Sequence, residues 1–373
     1  MSQLNVQNLS NENEDGAPEI ANISDFSATS YMCPPKGTTA QRPSSPNPGD
    51  IRFNTDTASL EYYKGNTIGW TQIEMTSPDL DGGARGLFMG GETPGYDATI
   101  DYITISTLGN AIDFGDLSGN TSIPSALASR TRGVRGGGYT GSNTNIIEYV
   151  TISITSNVTD FGDLAESKHW VQGGGNQTRG LFAGGNADSP IGHTNTIEYI
   201  TIAQTGNAVN FGDIARKPST SSGSAMNSST RAVFGGGSDP SSNALNTMEY
   251  VTTSTTGNAA DFGDLTDNNS RYGGCSNSTR GLIGGGTTPS ITASITYITI
   301  ATLGNTIDFG DLTSARSYLA GCSSTTKGVF GGGYNGSNFN TIDYITIDTT
   351  GNATDFGDLT TATRALAGAS DLY

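Results

Sequence analysis

The residues most suggestive of chemistry are carboxylates beside Phe and Gly. Asp-Phe-Gly, a magnesium-holding tripeptide in phosphoryl-transfer enzymes, begins at Asp113, Asp160, Asp261, Asp308 and Asp355, with Asn210 replacing the Asp in one further copy. No catalytic-loop or lysine-strand motif accompanies it, so that reaction is not supported. A second Asp follows each Gly, and a carboxylate repeated in every copy is expected to bond turn amides. Calcium at these groups would lack the EF-hand spacing. The Gly triplets resemble phosphate loops but are not followed by Lys-Ser/Thr. A ligand site should instead break the repeat. Both histidines, His169 and His193, fall in one repeat, Trp170 follows His169, and Tyr139 lies in a comparable loop of the repeat before. Aromatic faces suit the CH faces of sugar rings, which makes Tyr139, His169, Trp170 and His193 the candidate ligand-binding residues. The plainer alternative is a Trp packed between repeats beside two solvent histidines. Zinc would need ligands the sequence does not supply. No catalytic residue, metal site or cofactor is expected.

These residues need a frame, and the repeats supply it. Phe-Gly-Asp recurs at Phe114, Phe161, Phe211, Phe262, Phe309 and Phe356, at intervals of 47, 50, 51, 47 and 47 residues. A period near fifty, built of short strands and turn signals, indicates a β-propeller. In the unit over residues 314–359, four apolar segments stand at 316–322, 327–330, 341–347 and 353–357, lettered A to D. Gly351-Asn352, between C and D, reads as a tight hairpin. A basic residue opens every B segment (Arg85, Arg132, Arg179, Arg231, Arg280, Lys327) and is expected to pack between repeats or pair with acids. Arg135 stands where other copies place Phe or Ile. Cys275 and Cys322 occupy equivalent places and read as small buried residues. The first unit lacks segment A, while a surplus one lies at 364–369, so the C-terminal strand is expected to complete the first blade.

Loop lengths divide the two ends of the blades. Each Tyr of segment C precedes its Phe by 12 residues in all six copies, whereas the distance from basic residue to Tyr runs 17, 17, 20, 19, 17 and 17. The B–C and D–A loops, which share a face, therefore carry the variation and the candidate residues, and a variable face suits binding. The charge of −17, from 35 acidic and 18 basic residues, argues against free nucleic acid as a partner. It also argues against an anionic membrane surface. No stretch reaches the roughly 20 apolar residues of a membrane span, and residues 1–16 lack a signal-peptide core.

The run of hydrophobic residues before a Gly doublet, as in Val233-Phe234-Gly235-Gly236, followed by a Tyr in every copy, resembles the kelch-type propellers. The second aromatic is Phe where kelch repeats usually carry Trp, which marks a divergent branch. Ahead of the repeats, residues 32–49 are rich in Pro, Ser and Thr and are expected to be extended. Residues 49–73 read as a three-strand meander with turns near Asp56 and Gly65-Asn66. The stretch from Gly49 through Tyr63 to Trp70 is similar to modules of tailed-phage virion proteins, and the Phe-Gly-Asp repeats look like those of marine and cyanobacterial phage structural proteins. The expectation is an all-β chain: an anchoring arm (1–48), a connector meander (49–78) and a six-bladed kelch-like propeller of four-stranded blades (79–373), closed by the C-terminal strand. The resemblance implies a non-enzymatic virion appendage, a tail fibre or tail-associated protein. Its arm would bind other virion proteins and its propeller a host-surface glycan, with a homo-oligomer compatible with this. The alternative is a purely structural decoration of capsid, collar or tail.

Overall fold

The computed structural model describes residues 34–57, 59–73, 85–218 and 225–370; Cys33, most of the expected arm and the start of the first repeat at 79–84 lie outside them. The chain divides into two compact units, Met1–Thr76 and Ser77–Tyr373.

The first unit holds the meander, with antiparallel strands Ile51–Asn54, Ser59–Tyr63 and Trp70–Gln72. Part of the Pro-rich stretch folds with it. Lys36–Gly37 pairs in parallel with Phe53 and Asn54, and Thr39–Gln41 forms a 3-10 turn. A buried carboxylate holds this edge: Glu61 meets Arg42 at 2.6 Å and Arg52 at 3.6 Å. The Arg42 hydrogen bond is the main influence keeping the Glu61 carboxyl below its usual range.

The second unit is all-β, built of four-stranded antiparallel sheets in the manner of a β-propeller. In most sheets the order is A-B-C-D in chain sequence, as in Ala320–Ser323, Lys327–Gly331, Thr341–Thr346 and Thr354–Asp358. The first repeat's strands Arg85–Thr93, Gly95–Thr104 and Ile112–Asp116 instead take Ala367–Ser370, the last strand described, as their A strand. Numbered from that sheet, the other A strands are Ser125–Ala128, Gln172–Gly175, Met226–Asn227, Gly273–Ser276 and Ala320–Ser323. Buried apolar residues gather between successive sheets, Phe182 with Leu127 and Val134, for example. The last and first sheets meet the same way, through Val329 and Ile342 against Phe88 and Ile103.

The repeated motifs explain this stacking. Each basic residue lies over the Tyr of its own sheet, Arg132 at 4.3 Å from the Tyr149 centroid, and that Tyr meets the Phe edge-on. The guanidinium then donates to a backbone carbonyl of the next sheet: Arg85 to Ile152, Arg132 to Ile202, Arg280 to Ile347. Lys327 reaches Ile105 of the first sheet at 3.2 Å. These cations therefore serve packing rather than pairing with acids. Gly351-Asn352 is not a tight hairpin, because the C strand ends at Thr346 and D begins at Thr354. Its Asn acts across sheets: Asn352 Oδ1 accepts the Asp311 N–H at 3.1 Å, and Asn110 accepts that of Asp358. The amide of each Phe-Gly-Asp Asp, rather than its carboxylate, is thus the group bonded in these contacts. The preceding Gly is required by the close approach. At Gly115, with φ +146°, a Cβ would lie 2.4 Å from the Ser156 carbonyl of the neighbouring loop.

A second repeated feature carries no obvious sequence motif. The residue before each C-strand Tyr is Asp101, Glu148, Glu198, Glu249, Thr296 and Asp343, and the five acids are buried. Four face a cation: Arg135–Glu148 at 3.7 Å, Lys168–Glu198 at 2.5 Å, Arg216–Glu249 at 3.2 Å and Arg316–Asp343 at 3.0 Å. Arg135 thus fills a Phe position with a buried ion pair, also donating to Thr121 Oγ1. Asp101 takes the Thr360 N–H and hydroxyl instead, and burial pushes its carboxyl above the usual range. Cys275 and Cys322 are buried in A strands, as expected.

Candidate functional site

The A strands leave little room between them. The cavity they line measures about 30 Å³, enough for roughly one water. A Cβ on Gly368 would stand 2.2 Å from the Gly321 carbonyl, so adjacent A strands touch through their backbones. Among the described residues, the room for a ligand lies on the faces of the sheets rather than between these strands.

One such face is set by pairing between loops. Among the described residues, the D–A segment entering a sheet bridges the B–C loop of the same sheet at Ser122 with Tyr139, Ser270 with Thr287, Ser317 with Tyr334 and Arg364 with Glu92. Lys168–His169 pairs likewise with Asn186–Ala187. The next residue along the D–A segment has left-handed backbone: Ile123, Trp170, Arg271, Tyr318 and Ala365, at φ 54–61°. Such angles are costly for bulky residues, and here the backbone links neighbouring sheets. Ile123 N–H donates to Ala365 O, Ala365 N–H to Tyr318 O and Tyr318 N–H to Arg271 O.

Three of the four candidate residues meet through their rings. Tyr139 and His169 are 5.5 Å apart, and His169 and Trp170 6.0 Å. The run continues to Tyr318 at 5.7 Å from Trp170, and at its other end to Tyr96, edge-on to Tyr139 at 5.7 Å. His193 makes no ring contact in this run; it bridges Asn186, the residue paired with His169. Exposure separates the roles. Trp170 is only 8% exposed, whereas Tyr96 is 38% exposed and Tyr139, His169 and Tyr318 are half-buried. Trp170 is the packed centre of the run, and the surrounding rings are the ones a ligand would touch. Tyr96, Tyr318 and Arg271, whose guanidinium lies 5.1 Å from the Tyr318 ring, were not singled out from sequence. Aligning the repeats on the position two residues before each A strand would have found the last two.

Polar contacts fix the histidine. Asn143 Nδ2 donates to Asp188 Oδ1 at 2.8 Å, which turns its Oδ1 to His169 Nδ1 at 2.6 Å. With that orientation Nδ1 carries the proton and Nε2 is the acceptor. Burial drives the His169 pKa down to about 4, against the opposing pull of Asp188. The folded state thus binds fewer protons than the unfolded chain between about pH 6.5 and 4, so this residue's contribution to stability is intact above that window and declines as pH falls through it. The expected result is a melting temperature that drops on acidification over this range, with a shallower drop in His169→Gln. Equal slopes for both proteins would refute the assignment.

Compared with known proteins, the chain matches no family model and no curated sequence.

Proposed function

We propose that the second unit is a six-bladed, kelch-like propeller closed by its C-terminal strand, and that it is a non-enzymatic phage virion appendage binding a host-surface glycan. The ring is supported by the Trp170–Tyr318 contact, which joins residues three sheets apart in chain order, and by the packing of the last sheet on the first. The virion setting rests on the resemblance of the meander and the repeats to phage structural proteins, with the N-terminal region as the anchor to other virion proteins. One observation carries the binding role: the aromatic run Tyr96–Tyr139–His169–Trp170–Tyr318 breaks the repeat symmetry and lies on the variable loops.

The test is adsorption of labelled, purified chain to host cells, before and after periodate oxidation of surface sugars. Wild type adsorbs and periodate abolishes it. Tyr96→Ala with Tyr139→Ala weakens adsorption about tenfold at an unchanged melting temperature, as expected for lost stacking on a sugar. A wild-type chain that adsorbs to no host cell would instead favour decoration of the capsid, collar or tail.

A further inference from the structure

Arg271 differs from the other arginines around the same face. Arg135, Arg216, Arg316 and Arg364 each pair with a carboxylate, and the arginines that open the B strands, at the opposite end of the sheets, donate to carbonyls. Arg271 has no ion pair and no side-chain hydrogen bond among the described residues, and its Nε is buried without a partner. Its guanidinium lies against Tyr318, whose ring meets Trp170. The backbone there is held in the left-handed region at φ 61° and tied to Tyr318 N–H at 2.7 Å, which fixes where the side chain starts. Leaving that buried Nε–H without an acceptor is costly, whereas the half-buried guanidinium keeps its other donors available to a ligand. The fork of donors matches a carboxylate, and burial beside aromatic rings strengthens such a pair. At the far end of the run Asp188 is bonded to Asn143, which leaves the positive charge at the Trp170–Tyr318 end.

We propose that Arg271 forms, with the half-buried Tyr318 ring, a subsite for a carboxylate-bearing sugar, the ring lying on Tyr318 and the carboxylate on the guanidinium. This rests on the glycan-binding reading and narrows it to acidic glycans, that is, hexuronates or nonulosonic acids.

The experiment uses the full chain on an array of immobilised oligosaccharides that carry these acids, each beside its carboxyl-reduced counterpart and beside neutral glycans. Binding to the carboxylated form should exceed that to its reduced counterpart by about tenfold or more, the usual scale of a charge-assisted pair. Arg271→Gln should erase that preference while keeping the melting temperature and the residual binding to the reduced form, and Arg271→Lys should restore part of it. Equal binding to both forms, or a preference that survives in Arg271→Gln, overturns the acidic subsite and leaves a neutral-glycan platform standing. Binding to no member of the array removes the glycan reading itself, and the subsite with it.

Discussion

A chain ending at Leu366 does not hold the fold of its repeat unit. The missing strand, Ala367–Ser370, pairs along its length with the first repeat, from Ala367 opposite Met89 to Ser370 opposite Gly86. Ala367, Ala369 and Ser370 are all buried. Their loss opens the edge of Arg85–Thr93 and uncovers the neighbouring A strand, where Ser323 N–H donates to Ser370 Oγ at 2.9 Å. It also removes part of the cluster around Leu87, Met89 and Ala126. Unpaired edges in a large β-structure invite aggregation. The truncated chain is expected to melt about 10 °C or more below the full chain, or to be recovered only as aggregate. A permuted chain that carries residues 364–373 ahead of residue 77 supplies the same strand from the other side and should regain the full melting temperature. An unchanged melting curve for the truncation would sink the proposed closure.

That strand was legible in the sequence because its absence from one end and surplus at the other are both visible in the repeats. The four-strand division was legible for the same reason: Tyr102 and Phe114, and each pair like them, keep one spacing because their rings touch edge-on within a sheet. Contacts between sheets were harder to read. Gly109-Asn110 looks like a hairpin turn, yet Asn110 bonds Asp358, far along the chain, and no local pattern reports such a partner. The buried acids were missed because Glu198 and its counterparts alternate with Tyr in a strand and read as a solvent-facing position, while Lys168 sits in a loop without a fixed motif. At the candidate site, sequence offered Tyr139, His169 and Trp170 because they depart from the repeat. It did not offer Tyr318, whose ring comes to Trp170 from three sheets away. Nor could it show that Trp170 is buried, which moves the expected sugar contacts to the rings around it.

The buried ion pairs give the second large effect, and the repeats provide its control. Arg316 and Asp343 are fully buried, 3.0 Å apart, and Asp343 also accepts the Thr313 N–H at 3.1 Å and hydroxyl at 2.7 Å. Burial pulls the Arg316 pKa below its ordinary value, although Asp343 opposes the shift, so the cation is held at a desolvation cost that its partner offsets. Arg316→Asn leaves the Asp343 carboxylate buried without a cation and should cost about 3–5 kcal/mol. The preceding sheet dispenses with the pair altogether: Asn269 and Thr296 occupy the corresponding positions, and Asn269 Nδ2 donates to the Gly285 carbonyl at 2.9 Å. Adding Asp343→Thr to Arg316→Asn reproduces that arrangement, with the Gly332 carbonyl as the matching acceptor. The double variant should therefore recover most of the loss, as replacing a buried pair outright is often nearly neutral. Urea melts of wild type, both single variants and the double at pH 7 give the coupling energy directly. A double variant as unstable as the sum of the singles would show that the carboxylate's lost partner is not the source of the cost, and that the sixth sheet depends on the shape of these side chains instead.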